Sequence, residues 1–149
     1  MEALIALLNQ HHVRYLIIGG QAVRLEGFPR FSMDWDILIP PRDMANIVRI
    51  NDVLKDELDV PLEPLGPRGE NFIQTYQTRW GILQFHLGAP GLPRFEDLES
   101  RAVDHPLSEA CAARCLSGAD LLASKRASGR PADAEDIEFL EAKQEAGLL

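Results

Sequence analysis

The chain has 149 residues, 46% hydrophobic and 26% charged, the composition of an ordinary globular protein long enough to bury a core in one domain. Its formal net charge of -8 and pI of about 4.9 argue against tight nonspecific DNA or RNA binding, which needs a basic face. No apolar run approaches the roughly 20 residues that span a bilayer, the acidic start Met1-Glu2 does not resemble a signal peptide, and two cysteines are too few for a disulfide framework, so a cytoplasmic location and no membrane partner are expected.

Residues 2–10 set Leu4, Ile5, Leu7 and Leu8 at helical spacing, one stripe for a core. His11-His12 follows without a carboxylate or cysteine at useful spacing, so favourable charge at a helix C-terminus explains the pair better than a metal does. Residues 13–18, rich in β-branched and aromatic side chains, predict a buried strand that Gly19-Gly20 ends. Glycine lets a backbone turn with positive φ or approach a ligand closely. A short helix predicted over 21–26 would aim its free N–H groups at a phosphate; without a ligand, the same pattern is a tight strand-to-helix turn. Gly27-Phe28-Pro29 stops that helix, and Arg30 and Ser32 lead into a second strand. Side chains alternate along a strand, so Asp34 and Asp36 share one face while Trp35, Ile37 and Ile39 point into a core. Two carboxylates side by side repel each other and lose solvation if unpaired. A divalent cation removes both problems, and Mg²⁺ usually takes one or two carboxylates plus substrate phosphates.

Pro40-Pro41 ends the carboxylate strand, and residues 43–54 return to helical spacing with Met44, Ile47, Val48, Ile50 and Leu54 on the apolar face. Residues 59–70 are a proline- and glycine-rich loop. Two strands over 72–78 and 81–87 meet at Arg79-Trp80, the second with Gln84 and His86 on one face and Leu83, Phe85 and Leu87 on the other. A loop over 88–93, a short helix over 95–103 and a short edge strand at 114–116 come next, with Cys111 and Cys115 as small buried hydrophobes. Ser117, with Asp120 three residues on, caps a helix over 119–127 that Gly129 ends. Pro131 opens a last helix to about residue 146, its Ile137, Phe139 and Leu140 inward.

Two segments together resemble the nucleotidyltransferase superfamily, and within it the small AbiEii-like, or minimal nucleotidyltransferase-like, proteins. The first is G-G followed by D-x-D, with thirteen residues between Gly20 and Asp34; Gly27, Arg30 and Ser32 stand where the family often has a glycine, an arginine and a hydroxyl residue. The second, D-L-L-A-S-K-R-A-S-G-R-P-A-D-A-E-D-I-E-F-L over 120–140, is similar to the family's K-x₄-R-x-x-D-x-x-D-I signature through Lys125, Arg130, Asp133 and Asp136. The resemblance covers nearly the whole chain and implies an α/β (α+β) fold. That fold is a mixed β-sheet flanked by helices, like the palm of DNA polymerase β, in a single domain over 1–149 with its core at 13–87 and C-terminal helices at 118–146.

The implied chemistry is Mg-dependent transfer of a nucleotidyl group from a nucleoside triphosphate to a hydroxyl of RNA or protein. Asp34 and Asp36 would hold two metal ions that clamp the attacking and leaving oxygens of an in-line displacement. Gly19-Gly20 would cradle the β- and γ-phosphates, and Arg30, Lys125 and Arg130 would meet their charge. The implied setting is a toxin–antitoxin or phage-defence pair, with tRNA or a protein as acceptor and a cognate antitoxin as partner. One departure stands out. The family usually carries a third carboxylate on a neighbouring strand, and its slot here falls on Gln84, or else on Phe85 or His86. Gln84 can ligate a metal through its carbonyl oxygen but cannot take a proton. His86, on the same face, can serve as base or ligand, since histidine titrates near neutrality. The alternative is a catalytically degenerate module that binds nucleotide or a partner without turnover. Asp133 and Asp136 also suit an ion-pair network that fixes the last helix, and Lys125 suits either role.

Overall fold

In the computed structural model, which describes residues 2–89 and 91–149, helix α1 (Glu2–Gln10) buries Leu4, Ile5 and Leu8. Strand β1 (Leu16–Ile18) follows with all three residues buried, then α2 (Gly19–Leu25) and β2 (Asp34–Leu38). Helix α3 (Met44–Val53) starts at Asp43, whose carboxylate accepts from the Asn46 N–H at 3.1 Å. The hairpin β3 (Ile73–Thr78) and β4 (Gly81–His86) precedes α4 (Phe95–Ser100) and a second antiparallel pair, β5 (Val103–Ser108) and β6 (Cys111–Cys115). Helix α5 (Gly118–Ser128) is capped by Ser117, which accepts from the Asp120 N–H at 3.1 Å, and ends at Gly129 in the left-handed region, φ 62°. A 3₁₀ turn (Pro131–Asp133) leads into α6 (Ala134–Glu145).

The strands form one six-stranded mixed sheet in the order β3-β4-β2-β1-β6-β5. β1 runs antiparallel to β2 and parallel to β6, while β2 runs parallel to β4. The apolar run Leu16-Ile17-Ile18 suits a central strand covered on both faces. α1 packs against β6 and α3; α2 packs against β1, β2 and α5, and α5 against α6. Trp35, Ile37, Leu83 and Phe85 are fully buried, so the faces of β2 and β4 that carry them belong to the core and the opposite faces are left for polar residues. This is the mixed sheet flanked by helices that the motifs imply.

Several local expectations are corrected. The strand at the sequence's C-terminal side is not a three-residue edge. β6 spans five residues between β1 and β5, with Cys111, Ala113 and Cys115 buried in alternation. The edge is β5, where a helix over 95–103 was expected to end; α4 stops at Ser100. β5 hides its nature behind Asp104 and Pro106, tolerable because an edge strand can lack a donor, and its register shifts between Pro106 and Ser108. On α3, Met44 and Val48 are each 53% exposed, whereas Asn46 is fully buried. The Asn46 side chain accepts from the Arg14 N–H at 2.7 Å and donates to the Arg14 carbonyl at 3.0 Å, satisfying backbone just ahead of β1. The last helix is preceded by a separate 3₁₀ turn, which Pro131 opens at a position where no N–H donor is needed. Of the loop read over 88–93, Pro90 lies outside the described residues, as does Met1 of the N-terminal reading.

Both cysteines are buried, and burial pushes the Cys115 thiol up to about 12, which suppresses the thiolate that reacts or ligates. Among the described residues, no helix is long and apolar enough to cross a membrane.

Candidate active site

The alternation of β2 places Asp34 and Asp36 on the face opposite buried Trp35 and Ile37. β4 lies beside β2 in parallel register, with Gln84 paired to Asp36 and His86 to Leu38. All four polar side chains line one cleft of about 520 Å³, together with Gly19 from the start of α2 and with Lys125, Arg130 and Asp133 from α5 and the turn after it. His86 Nε2 lies 2.9 Å from Asp36 Oδ1. An oriented histidine therefore stands against one of the two carboxylates.

Gly19 is required by the carboxylate it faces. Its φ is +68°, and a Cβ there would land on the Asp36 carboxylate. A side chain in that backbone region costs roughly 1–2 kcal/mol before any clash. Gly19→Ala is therefore expected to lose about 2 kcal/mol or more of stability in urea unfolding and to displace Asp36; unchanged stability would show that the turn relaxes freely. Gly20 serves the neighbouring loop instead. A Cβ on it would come 2.8 Å from Ser32 Oγ and 3.2 Å from the Arg30 guanidinium carbon. The loop is further held by buried Gln21, whose amide donates to the Ser32 carbonyl at 3.0 Å and accepts from Arg24 at 2.9 Å. Gln21 was not singled out from the sequence. A lone glutamine opening a helix carries no local signal of the bond it makes eleven residues on.

The C-terminal motif forms a network. Asp133 accepts from Lys125 at 2.9 Å, from Arg130 at 3.0 and 3.1 Å and from Ser128 at 2.6 Å. Asp136 takes Lys125 at 3.1 Å and is bonded to Arg30. Burial raises the Asp133 pKa, but the hydrogen bonds from Arg130, Ser128 and Lys125 outweigh it and hold the carboxyl well below the usual range. Of the residues singled out for phosphate, Gly19, Lys125 and Arg130 border the cleft; Gly20 and Arg30 do not, because Ser32 and Asp136 engage them. Ser124 and Ser128 also line it, and nothing in their spacing marked them beforehand.

The donor set suits a hard cation. Two carboxylates on one strand face, open to a cleft, match the one or two that Mg²⁺ takes, with substrate phosphates completing the shell. Among the described residues no three His, Cys, Asp or Glu side chains form a ready-made metal centre, so further oxygens would come from a ligand or from the Gln84 carbonyl.

No family model and no curated protein match the sequence. Solved structures do resemble it. The lincosamide antibiotic adenylyltransferase LnuA superposes with a TM-score of 0.60 at 19% identity, over 93% of this chain and 92% of its own. An antigenic nucleotidyltransferase-like protein from Paracoccidioides brasiliensis gives 0.58 at 18% identity, over 93% of this chain and 72% of its own. The antibiotic-resistance factor ANT(2'')-Ia gives 0.53 at 13% identity, over 98% of this chain and 94% of its own.

Proposed function

From a chain with the nucleotidyltransferase fold, we propose nucleotidyl transfer: a nucleoside triphosphate bound with Mg²⁺ at Asp34 and Asp36, and an acceptor hydroxyl as nucleophile. The observation that carries the reading is the convergence of these two carboxylates with Lys125 and Arg130 in one cleft on that fold. When bound, Mg²⁺ would neutralise the triphosphate and polarise the phosphoryl under attack.

The chain's own residues supply the rest. Gly19, with no side chain to intrude, leaves room for the Asp36 carboxylate to stand against the main chain at the wall of the cleft. An ammonium has three donors; Asp133 and Asp136 engage two of those on Lys125, leaving one for a phosphate oxygen. Arg130 is largely exposed and brings further donors to the cleft rim. Asp36 orients the His86 ring through Nε2, so Nδ1 is the atom that takes the acceptor's proton. In the step, the acceptor oxygen bonds to the α-phosphorus, the bond from that phosphorus to the bridging oxygen breaks, and pyrophosphate leaves with its electron pair. Support for the narrower AbiEii-like reading, with a toxin–antitoxin setting, is the C-terminal motif alone.

His86→Ala separates binding from chemistry. Turnover of triphosphate to pyrophosphate is expected to fall by roughly 10²–10⁴-fold while nucleotide affinity stays within a few fold. Undiminished turnover would remove His86 from the mechanism. A second reading has an observation of its own: Gln84, paired with Asp36, cannot act as a base. In that reading the chain binds nucleotide without turnover, and wild type forms no pyrophosphate with any acceptor.

A further inference from the structure

We infer that the acceptor is a small hydroxyl-bearing molecule with an apolar face and no net negative charge, seated on Phe72 and Ile73. This rests on the nucleotidyl-transfer reading and specifies its second substrate. In the β3–β4 hairpin Ile73 pairs directly with His86, and both line the cleft. Residues directly opposite each other in an antiparallel pair present their side chains to one face, about 5 Å apart. A hydroxyl seated beside His86 in the cleft therefore brings the rest of its molecule against Ile73 and the adjoining Phe72. These side chains are 41% and 45% exposed, although both are large and apolar. Exposed apolar surface at the mouth of a polar cleft is surface that a ligand covers.

Charge decides which ligand. Among the described residues, Lys125 and Arg130 are the lysine and arginine that line the cleft, and both come from α5 and its C-terminal end rather than from β3. Both are also bonded to Asp133. The β2 floor adds Asp34 and Asp36, and the chain as a whole carries -8. Within the lining of the cleft, a polyanion such as RNA would find no cation beside Phe72 and Ile73 and would face Asp34 and Asp36 on the floor. An apolar ring, neutral or cationic, with a hydroxyl at its edge meets neither obstacle.

Calorimetric titration of the intact chain tests this, with phenyl β-D-glucoside, its para-aminomethyl derivative and a short oligoribonucleotide, each with and without ATP and Mg²⁺. The two glycosides should bind and the oligoribonucleotide should not. Phe72→Ala and Ile73→Ser should each weaken glycoside binding about fivefold or more, the scale of one lost ring or apolar contact, with ATP affinity unchanged. Several results would overturn the inference: an oligoribonucleotide that binds, glycosides that do not, or glycosides indifferent to both substitutions. So would Phe72→Ala weakening ATP, which would make the ring a platform for the nucleobase. The ATP titration isolates the cause: failed glycosides with Asp34-dependent ATP binding intact reject the acceptor class alone, whereas wild type that binds no ATP rejects the parent reading.

Discussion

Asp34→Ala is expected to weaken Mg²⁺-dependent binding of nucleoside triphosphate by about a hundredfold or more. Groups that merely support a metal ligand cost about 10–100-fold when removed, and Asp34 would itself be a ligand. Calorimetry with each triphosphate, with and without Mg²⁺, measures the loss. The folded state should not suffer alongside it. Asp34 and Asp36 share one strand face, so deleting one relieves like-charge repulsion, and the melting temperature should hold or rise. Binding lost without stability lost is the signature of a site. Equal binding by wild type and variant would rule out the carboxylate pair as the nucleotide's anchor. A variant that only unfolds more easily would make Asp34 part of the scaffold.

The second large effect lies in the C-terminal network. Asp133→Ala is expected to cost about 3 kcal/mol, the lower end for breaking a buried pair, because Lys125 keeps Asp136 at 3.1 Å. Lys125 is 6% exposed and Asp133 2%, so water cannot replace the lost partner. Lys125→Met should cost less, since Asp133 retains Arg130 and Ser128. The double variant Lys125→Met/Asp133→Leu should lie above Asp133→Ala in urea midpoint, as an apolar pair leaves no buried charge stranded. The same network fixes the acid limb of the stability curve. The folded-state pKa of Asp133 is depressed, so its contribution is fully present above the unfolded value of about 4 and is lost as pH falls below it. Glu26, with His105 Nε2 3.3 Å from its carboxylate and a hydrogen bond from Lys143, and Asp43, hydrogen-bonded by the Asn46 N–H and Arg14, are shifted downward too and act in the same direction. The urea midpoint should therefore be flat down to about pH 5 and fall steeply below about pH 4, less steeply in Asp133→Asn. A midpoint indifferent to that pH range would contradict the network.

The carboxylate strand was legible because its information is local. A period of two places Asp34 with Asp36 wherever the strand sits, and Trp35 and Ile37 tell which face is inside. The cap at Ser117 and the stop at Gly129 are equally local and stand where they were expected, whereas the cap at Asp43 is supplied by the structure. Arg30 shows the other case. Its partner Asp136 is 106 residues away, so no spacing rule could divert it from phosphate to α6. The rank of β6 in the sheet was hidden similarly, since a strand's position depends on what pairs with it. Its alternation of Cys111, Ala113 and Cys115 was the available sign, muted by the small size of those side chains. In β5, Asp104 and Pro106 masked a strand that owes its existence to β6. Gln84 and His86 were placed on the right face by pattern, but the bond between His86 and Asp36 spans 50 residues and is a product of sheet register.

α6 has a consequence beyond its packing. Asp136, near its first turn, holds Arg30 from the loop before β2 and shares Lys125 with Asp133, just ahead of the helix. Fraying of α6 would thus free Arg30 of its carboxylate partner and leave Lys125 on Asp133 alone at the same moment. Native-state amide exchange should then report α5, α6 and the loop around Arg30 as one cooperative opening unit, with the β2–β4 ladder opening at higher free energy. Anything that clamps Lys125 from the cleft would slow exchange along a helix it never touches.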